Sequence, residues 1–204
     1  MHPRVFAAFD RLCRERGAGG DVLEIGAMPS ASTLLCLPSL RDARTRVGVN
    51  LAGDASFDGF RIVGANANAL TMFDDASFDT VISNSVLEHD PRFWLTLGEM
   101  RRVARPGALI AIGVPGYARS SSFVKRAARV PVLGRALRRV APGALASTPT
   151  LVIHDYPGDY YRFSPQAMRE VLLEGLDERE VAELMNPPRL VGSGRVRRGP
   201  DQAP

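Results

Sequence analysis

Cysteine and histidine are scarce in this chain, with two and three in 204 residues. Cys13 and Cys36 form no metal-type spacing, and the three histidines are isolated, so no metal site is expected. The two thiols read as reduced, small, buried residues, not as a disulfide frame. Long apolar runs are missing as well. The longest uncharged one, Ala108 to Val114, is far too short to span a bilayer. The opening MHPRVFAAFDRLCRER carries charges through its apolar stretch, which argues against a secretory signal, and a cytoplasmic location is expected. Internal repeats are absent.

Acidic residues are missing from one segment only. Tyr117 to Ser147 holds Arg119, Lys125, Arg126, Arg129, Arg135, Arg138 and Arg139 and no carboxylate, within a net charge of +4. The remainder is slightly acidic. Basicity confined to one segment weakens any reading as a nucleic-acid binder, and no nucleic-acid partner is expected.

What is present fits one soluble domain over residues 1–204, at 45% hydrophobic and 24% charged residues. Val5, Phe6, Phe9, Leu12 and Cys13 fall at helical spacing and predict an opening helix over 4–16, ended by Gly17, Gly19 and Gly20. DVLEIG at 21–26 reads as the first strand, followed by a helix near 32–37. Strands are expected at 46–51, 60–64, 78–83 and 108–114, with a helix over 93–104 and a sharp turn at Pro106 and Gly107. Strands alternating with helices imply a parallel, doubly wound sheet. In the tail, Ser164 and Pro165 start a helix through Leu173. Two further strands, 179–185 and 189–195, would form an antiparallel pair across a Pro-Pro turn. Within the basic segment, two short helices are separated by Pro131.

The block from Ser77 to Gly116 gathers Asn84, Ser85, Glu88 and His89 just past a strand end. In an open α/β sheet that is where ligands bind. Taken with DVLEIGA, GVNLAG and MFDDASFDTVISNSVLEH, the segment EMRRVARPGALIAIGVPG resembles the class I S-adenosylmethionine (SAM)-dependent methyltransferases, the type 11 group in particular. HDYPGDYYRFSPQAMRE and NPPRLVGSGR are similar to segments of a bacterial subset of that group. The resemblance covers roughly residues 20–195. It implies a Rossmann-like seven-stranded sheet, helices on both faces, an antiparallel last strand, and SAM as the cofactor.

The resemblance also assigns roles. Glu24, Gly26, Ala27 and Met28 form the loop that meets the methionine part of SAM, with Glu24 orienting the loop or the ammonium group. Only Gly26 remains of the family's glycines. Asn50 and Leu51 stand where an acidic residue usually accepts both ribose hydroxyls; an asparagine offers one acceptor and one donor. Asn66, Asn68 and Ala69 stand at the adenine loop, and Leu70 and Met72 are placed to pack on the purine face. Asn84 and Ser85 lie beside the methyl being handed over. Phe78 reads as core and Asp79 as structural.

Two histidines are the candidate bases, His89 and His154, since an imidazole titrates near neutrality. Asp155, Tyr156, Tyr160 and Arg162 lie in the aromatic loop with His154 and are assigned to the acceptor. The insertion at about 117–147 has three readings: a lid, a patch for an acidic acceptor or for anionic lipid headgroups at a membrane surface, or a solvated face. The expected reaction is methyl transfer to an oxygen or nitrogen of a small molecule or of a glycan- or lipid-linked precursor. A non-catalytic relative with weak SAM binding is the second reading.

Overall fold

The structure, a computed structural model, describes residues 1–117, 158–185 and 188–198, together with Pro131, Arg135 and Arg139, which are helical and exposed. The rest of the basic insertion, and with it the helices expected there, lies outside the described residues.

Helix α1 (Pro3–Glu15) begins on a proline whose missing N–H costs nothing in a first turn, and the His2 ring accepts from the Arg4 amide at 3.1 Å. Its apolar stripe, Val5, Phe9 and Cys13, is buried. Strands β1 (Asp21–Ile25), β2 (Thr45–Asn50), β3 (Ala55–Phe57), β4 (Phe60–Gly64), β5 (Phe78–Asn84) and β6 (Ala104–Pro115) follow, with helix α2 (Phe93–Val103) between β5 and β6. Helix α3 (Pro165–Ala167) runs on into a π turn (Met168–Leu172), and β7 (Leu176–Leu184) and β8 (Arg189–Val196) end the described fold.

The strands form one sheet in the order β3-β4-β2-β1-β5-β6-β8-β7. The pairs of β1 with β2 and β5, β2 with β4, and β5 with β6 are parallel. The expected tail hairpin is present: β8 is antiparallel to both β6 and β7 and slots between them. Successive residues of the central strands face opposite layers. Leu23, Val81, Ile110 and Ile112 join the core under α2, while Val22, Ile82 and Ala111 join the core under α1. Burial on both faces explains why these strands read as continuous apolar runs. Gly113 admits the Phe9 ring, which a Cβ there would crowd at 2.9 Å.

Four expectations need correction. The sheet has eight strands, because β3 folds back on β4 as an antiparallel hairpin through Asp58 and Gly59, both at positive φ. The helix expected at 32–37 is replaced by two single 3-10 turns, Leu34–Cys36 and Pro38–Leu40. Pro38 lacks the N–H that a continuing α-helix would need and restricts the residue before it. Cys36 is only half-buried, unlike Cys13. The final helix is also not regular, since it widens into the π turn after one α turn.

Candidate functional site at the carboxyl edge of the sheet

Parallel strands β1, β2, β4, β5 and β6 end on one edge, and the strand after them arrives there from the other direction. In the antiparallel register Pro115 of β6 faces Arg189, the first residue of β8. The tail therefore contributes a cation to the same edge.

Glu24 is buried at this edge, 3% exposed. Its carboxylate accepts from Thr33 Oγ1 at 2.6 Å and from the amides of Leu34 and Leu35 at 3.1 and 2.9 Å. These are the orphan N–H groups at the start of the first 3-10 turn. Burial pushes the Glu24 carboxyl up, against the opposing pull of Thr33 and the two amides. Its chemistry here is to fold the loop back onto the sheet. Gly26, at φ 83°, makes the turn, and a Cβ on it would overlap Val86. The Gly26 and Ala27 amides both donate to the Val49 carbonyl, at 2.8 and 3.1 Å, which ties the loop to β2. Ala27 is buried, and Met28 beyond it is 45% exposed.

Asn50 closes the other side of this loop. Its Nδ2 donates to the Ala27 carbonyl at 2.7 Å and approaches Met28 Sδ at 3.2 Å. Its Oδ1 accepts from the Ala52 amide at 2.9 Å. Leu51, next in the chain, is 67% exposed. Asn66 makes a local turn, Oδ1 accepting from the Asn68 amide at 2.9 Å. Asn68 donates to Asp90 Oδ2 at 2.7 Å and to Thr96 Oγ1 at 2.9 Å, so this asparagine fastens the loop to α2. Ala69 is exposed; its amide donates to the Asn66 carbonyl at 3.0 Å. Leu70 is fully buried in the core under α2, and Met72 is 45% exposed.

A second group of side chains gathers where β5 ends. Ser85 holds φ 57°, its amide donating to the Gly113 carbonyl at 2.9 Å. Asn84 Nδ2 donates to Ser85 Oγ at 3.2 Å, and Arg189 Nη1 donates to the same oxygen, also at 3.2 Å. Glu88 is fully buried and lies 3.8 Å from His89 Nε2 and 3.9 Å from Arg189 Nη1. His89 Nδ1 hydrogen-bonds the Gly158 carbonyl. A carbonyl only accepts, so Nδ1 carries the proton.

The described end of the aromatic loop docks on this group. The Glu88 carbonyl accepts from the Tyr160 and Tyr161 amides at 2.8 and 3.3 Å. Tyr161 and Phe163 both meet the Phe93 ring edge-on, at 5.0 and 5.5 Å between centroids, and Tyr161 Oη donates to the Pro91 carbonyl at 3.0 Å. Arg162 is clamped by Asp159, with Nη2 donating to Oδ2 at 2.6 Å. That bond to Asp159, ahead of the opposing effect of burial, holds the guanidinium above its ordinary range. Tyr160 is 56% exposed. His154, Asp155 and Tyr156 lie outside the described residues.

The edge thus brings Glu24, Gly26, Ala27, Met28, Asn50 and Leu51 together on one side. Asn84, Ser85, Glu88, His89 and Arg162 gather on the other. Arg189 was not among the candidates read from the sequence. Its signal was the tail hairpin: the first residue of a strand antiparallel to β6 must land at the carboxyl edge of β6. Asp79, in contrast, lies at the opposite edge, accepting from the Asp21 amide at 2.8 Å and pairing with Arg105 at 2.8 Å. That network is structural, as read.

Residues 35–112 match a family model described as a methyltransferase domain. Among solved structures, the chain is similar to a SAM-dependent methyltransferase from Archaeoglobus fulgidus, with a TM-score of 0.61 and 14% identity over 94% of this chain and 93% of that one. It is also similar to the 1,6-didemethyltoxoflavin-N1-methyltransferase of Burkholderia thailandensis, solved with 1,6-didemethyltoxoflavin and S-adenosylhomocysteine (TM-score 0.61, 13% identity, 95% of this chain and 78% of that one). The N-methyltransferase NodS of Bradyrhizobium japonicum WM9, in complex with S-adenosylhomocysteine, gives a TM-score of 0.56 at 13% identity, over 95% and 86% of the two chains. At such identities these neighbours speak for the fold. No curated protein sequence matches the chain. The fold is that of these SAM-dependent methyltransferases, and residues 35–112 match a methyltransferase-domain model, in keeping with the class I resemblance of the sequence. No helix of the described residues is long and apolar enough to cross a membrane.

Proposed function

We propose that this chain, as a single domain over residues 1–204, transfers a methyl group to an oxygen or nitrogen of a small molecule or of a glycan- or lipid-linked precursor. The observation that carries this reading is the two-sided edge itself: a glycine turn bound to β2 on one side, a polar group with a histidine on the other. The residues fit SAM. Met28, Leu51 and Met72, which follow β1, β2 and β4, are large apolar side chains left exposed. They supply the apolar faces that a purine and a thioether require. Glu24 acts on the loop and not on the ligand, since its carboxylate is enclosed by Thr33, Leu34 and Leu35. The names of two similar proteins, a 1,6-didemethyltoxoflavin-N1-methyltransferase and a phosphoethanolamine N-methyltransferase of Haemonchus contortus, support a small-molecule acceptor.

Bound SAM supplies an already activated sulfonium methyl, so the protein's main work is alignment. Well-oriented reactants gain about 7–11 kcal/mol of barrier reduction. Asn84 and Ser85 present backbone and side chain at the end of β5, and the Tyr160–Phe163 stretch sets the opposite wall. His89 is the base on the described side. Its Nε2 accepts the acceptor's proton, the Gly158 carbonyl fixes the ring, and Glu88 at 3.8 Å compensates the imidazolium charge. A base in this role contributes ~10²–10⁴-fold.

Calorimetry with SAM and S-adenosylhomocysteine tests the reading. Binding of both is expected, and no binding of either at millimolar ligand would sink it. For the base, His89→Ala and His154→Ala separate two roles. Loss of turnover with cofactor affinity intact marks the base. If neither replacement slows turnover, alignment alone suffices and the base assignment fails.

A further inference from the structure

Ser85 is a serine in a left-handed backbone conformation, at φ 57°, in a turn at the carboxyl edge. A non-glycine residue keeps such a conformation only where its surroundings over-determine it. Here three bonds do so: its amide to the Gly113 carbonyl, and two donors onto its hydroxyl oxygen, Asn84 Nδ2 and Arg189 Nη1, each at 3.2 Å. A hydroxyl has two lone pairs and one hydrogen. Both lone pairs are engaged, so the hydrogen is left to donate.

Arg189 points the same way chemically. Its guanidinium makes one hydrogen bond among the described residues, to Ser85, and pairs with the Glu88 carboxylate at 3.9 Å, too far for a hydrogen bond. Arg162, the other cation of the group, is committed to Asp159 through both terminal nitrogens. The Arg189 side chain is 28% exposed, so the guanidinium keeps contact with solvent. The Ser85 hydroxyl and the Arg189 guanidinium, joined at 3.2 Å, form a pair of adjacent donors.

We propose that Ser85 and Arg189 form an acceptor-side subsite for an oxyanion, the carboxylate or phosphate group of the methyl acceptor. This rests on the proposed function and narrows its acceptor to acidic molecules. A guanidinium presents paired donors matched to carboxylate and phosphate oxygens, and Ser85 adds a third. A neutral apolar group finds no partner there and leaves both donors unsatisfied. The subsite lies beside the Asn84 turn, so an oxyanion held there fixes the acceptor next to the transferring methyl.

The test is a titration of inorganic phosphate and of acetate into the wild type, Arg189→Gln and Ser85→Ala, each alone and with S-adenosylhomocysteine. Arg189→Lys, which keeps the charge and loses the fork, is the milder variant, and thermal midpoints check folding. At least one anion should bind the wild type, about ten- to a hundredfold more weakly in Arg189→Gln, the worth of a charged hydrogen bond. S-adenosylhomocysteine affinity should be unchanged. The tighter anion distinguishes a phosphorylated acceptor from a carboxylic one. No anion binding by the wild type, or equal binding by all the proteins, overturns the subsite. Parallel loss of S-adenosylhomocysteine affinity in the variants also overturns it, by assigning the pair to the cofactor. Failure of the wild type to bind S-adenosylhomocysteine would instead strike the proposed function. The titration without that ligand still reads the subsite.

Discussion

Asn50 holds the loop after β1 by donating Nδ2 to the Ala27 carbonyl at 2.7 Å. An aspartate cannot make this bond, since a carboxylate and a carbonyl both only accept. The amide at this strand end is therefore matched to the altered Met28 loop, whose sulfur lies 3.2 Å from the same nitrogen. Asn50→Asp, nearly isosteric, should destabilise the protein by about 1–3 kcal/mol, the range for a buried acceptor left facing another acceptor. Urea unfolding midpoints check this. An unchanged midpoint in Asn50→Asp would show that the amide's donation has no energetic role.

Gly26 has a different constraint. Its φ of 83° disfavours any side chain, and a Cβ would overlap Val86 Cγ2. Gly26→Ala carries the backbone cost, about 1–2 kcal/mol, plus an overpacking cost of about 1–3 kcal/mol. Adding Val86→Ala should recover the packing part and not the backbone part. The double variant is thus expected between the single Gly26→Ala and the wild type in thermal midpoint, after allowing for the cost of Val86→Ala alone. Full recovery would mean that the positive φ carries no strain.

The fold was largely legible because alternating strand and helix signals are local. β1, β2, β4 and β5 are short apolar runs, and the Pro-Pro turn foretold the antiparallel tail. The 3-10 turns after Met28 were not legible. Leu34, Leu35 and Leu37 are spaced for a helix, and only the buried Glu24 carboxylate, a tertiary contact, shows how the turns are satisfied. The same limit applied to the site. Sequence position placed Asn50, Asn68 and His89 near the edge, but their partners Ala27, Asp90 and Gly158 come from other elements. Chain order does not state which way a side chain turns. Arg189 was missed because its role depends on register, not on its neighbours in the chain.

Arg102 clamps the loop between β4 and β5. It donates to the Leu70 carbonyl at 2.9 Å, the Phe73 carbonyl at 3.0 Å and Asp75 at 2.6 Å, while Glu99 takes two further bonds at 2.9 Å. An ammonium has three donors on one atom and cannot span these acceptors. Arg102→Lys should therefore speed amide hydrogen exchange over residues 70–75 with little change in the strands. Exchange equally slow in both proteins would show that the loop is held by other contacts, such as the Leu70 amide on Glu99 at 2.6 Å.

Acid should weaken the fold through carboxylates whose folded form is held ionised. Arg44 beside Asp21 lowers that carboxyl strongly, against some desolvation and with Thr45 and Arg105 assisting. Arg102 likewise lowers Glu99, and for Asp10 the Ser39 and Arg14 contacts outweigh burial. A carboxyl lowered on folding stabilises above its unfolded value, and that stabilisation is lost as pH falls below it. The loss is expected to begin as pH drops through the ordinary values of 4.5 for Glu99 and 3.8 for the aspartates. Glu24 has the opposite sign. Its burial raises the folded value, so it costs stability as pH rises from 4.5 through that raised value. Glu24→Gln presents an amide to Thr33, Leu34 and Leu35 where two oxygens are required, and should destabilise by about 1–3 kcal/mol. That deficit should be greatest at acid pH and shrink as pH rises, because only the wild type pays for ionising a buried carboxyl. Unfolding midpoints of both proteins from acid to neutral pH measure it, and a deficit that grows with pH would show that the enclosed carboxylate is favoured in its charged form.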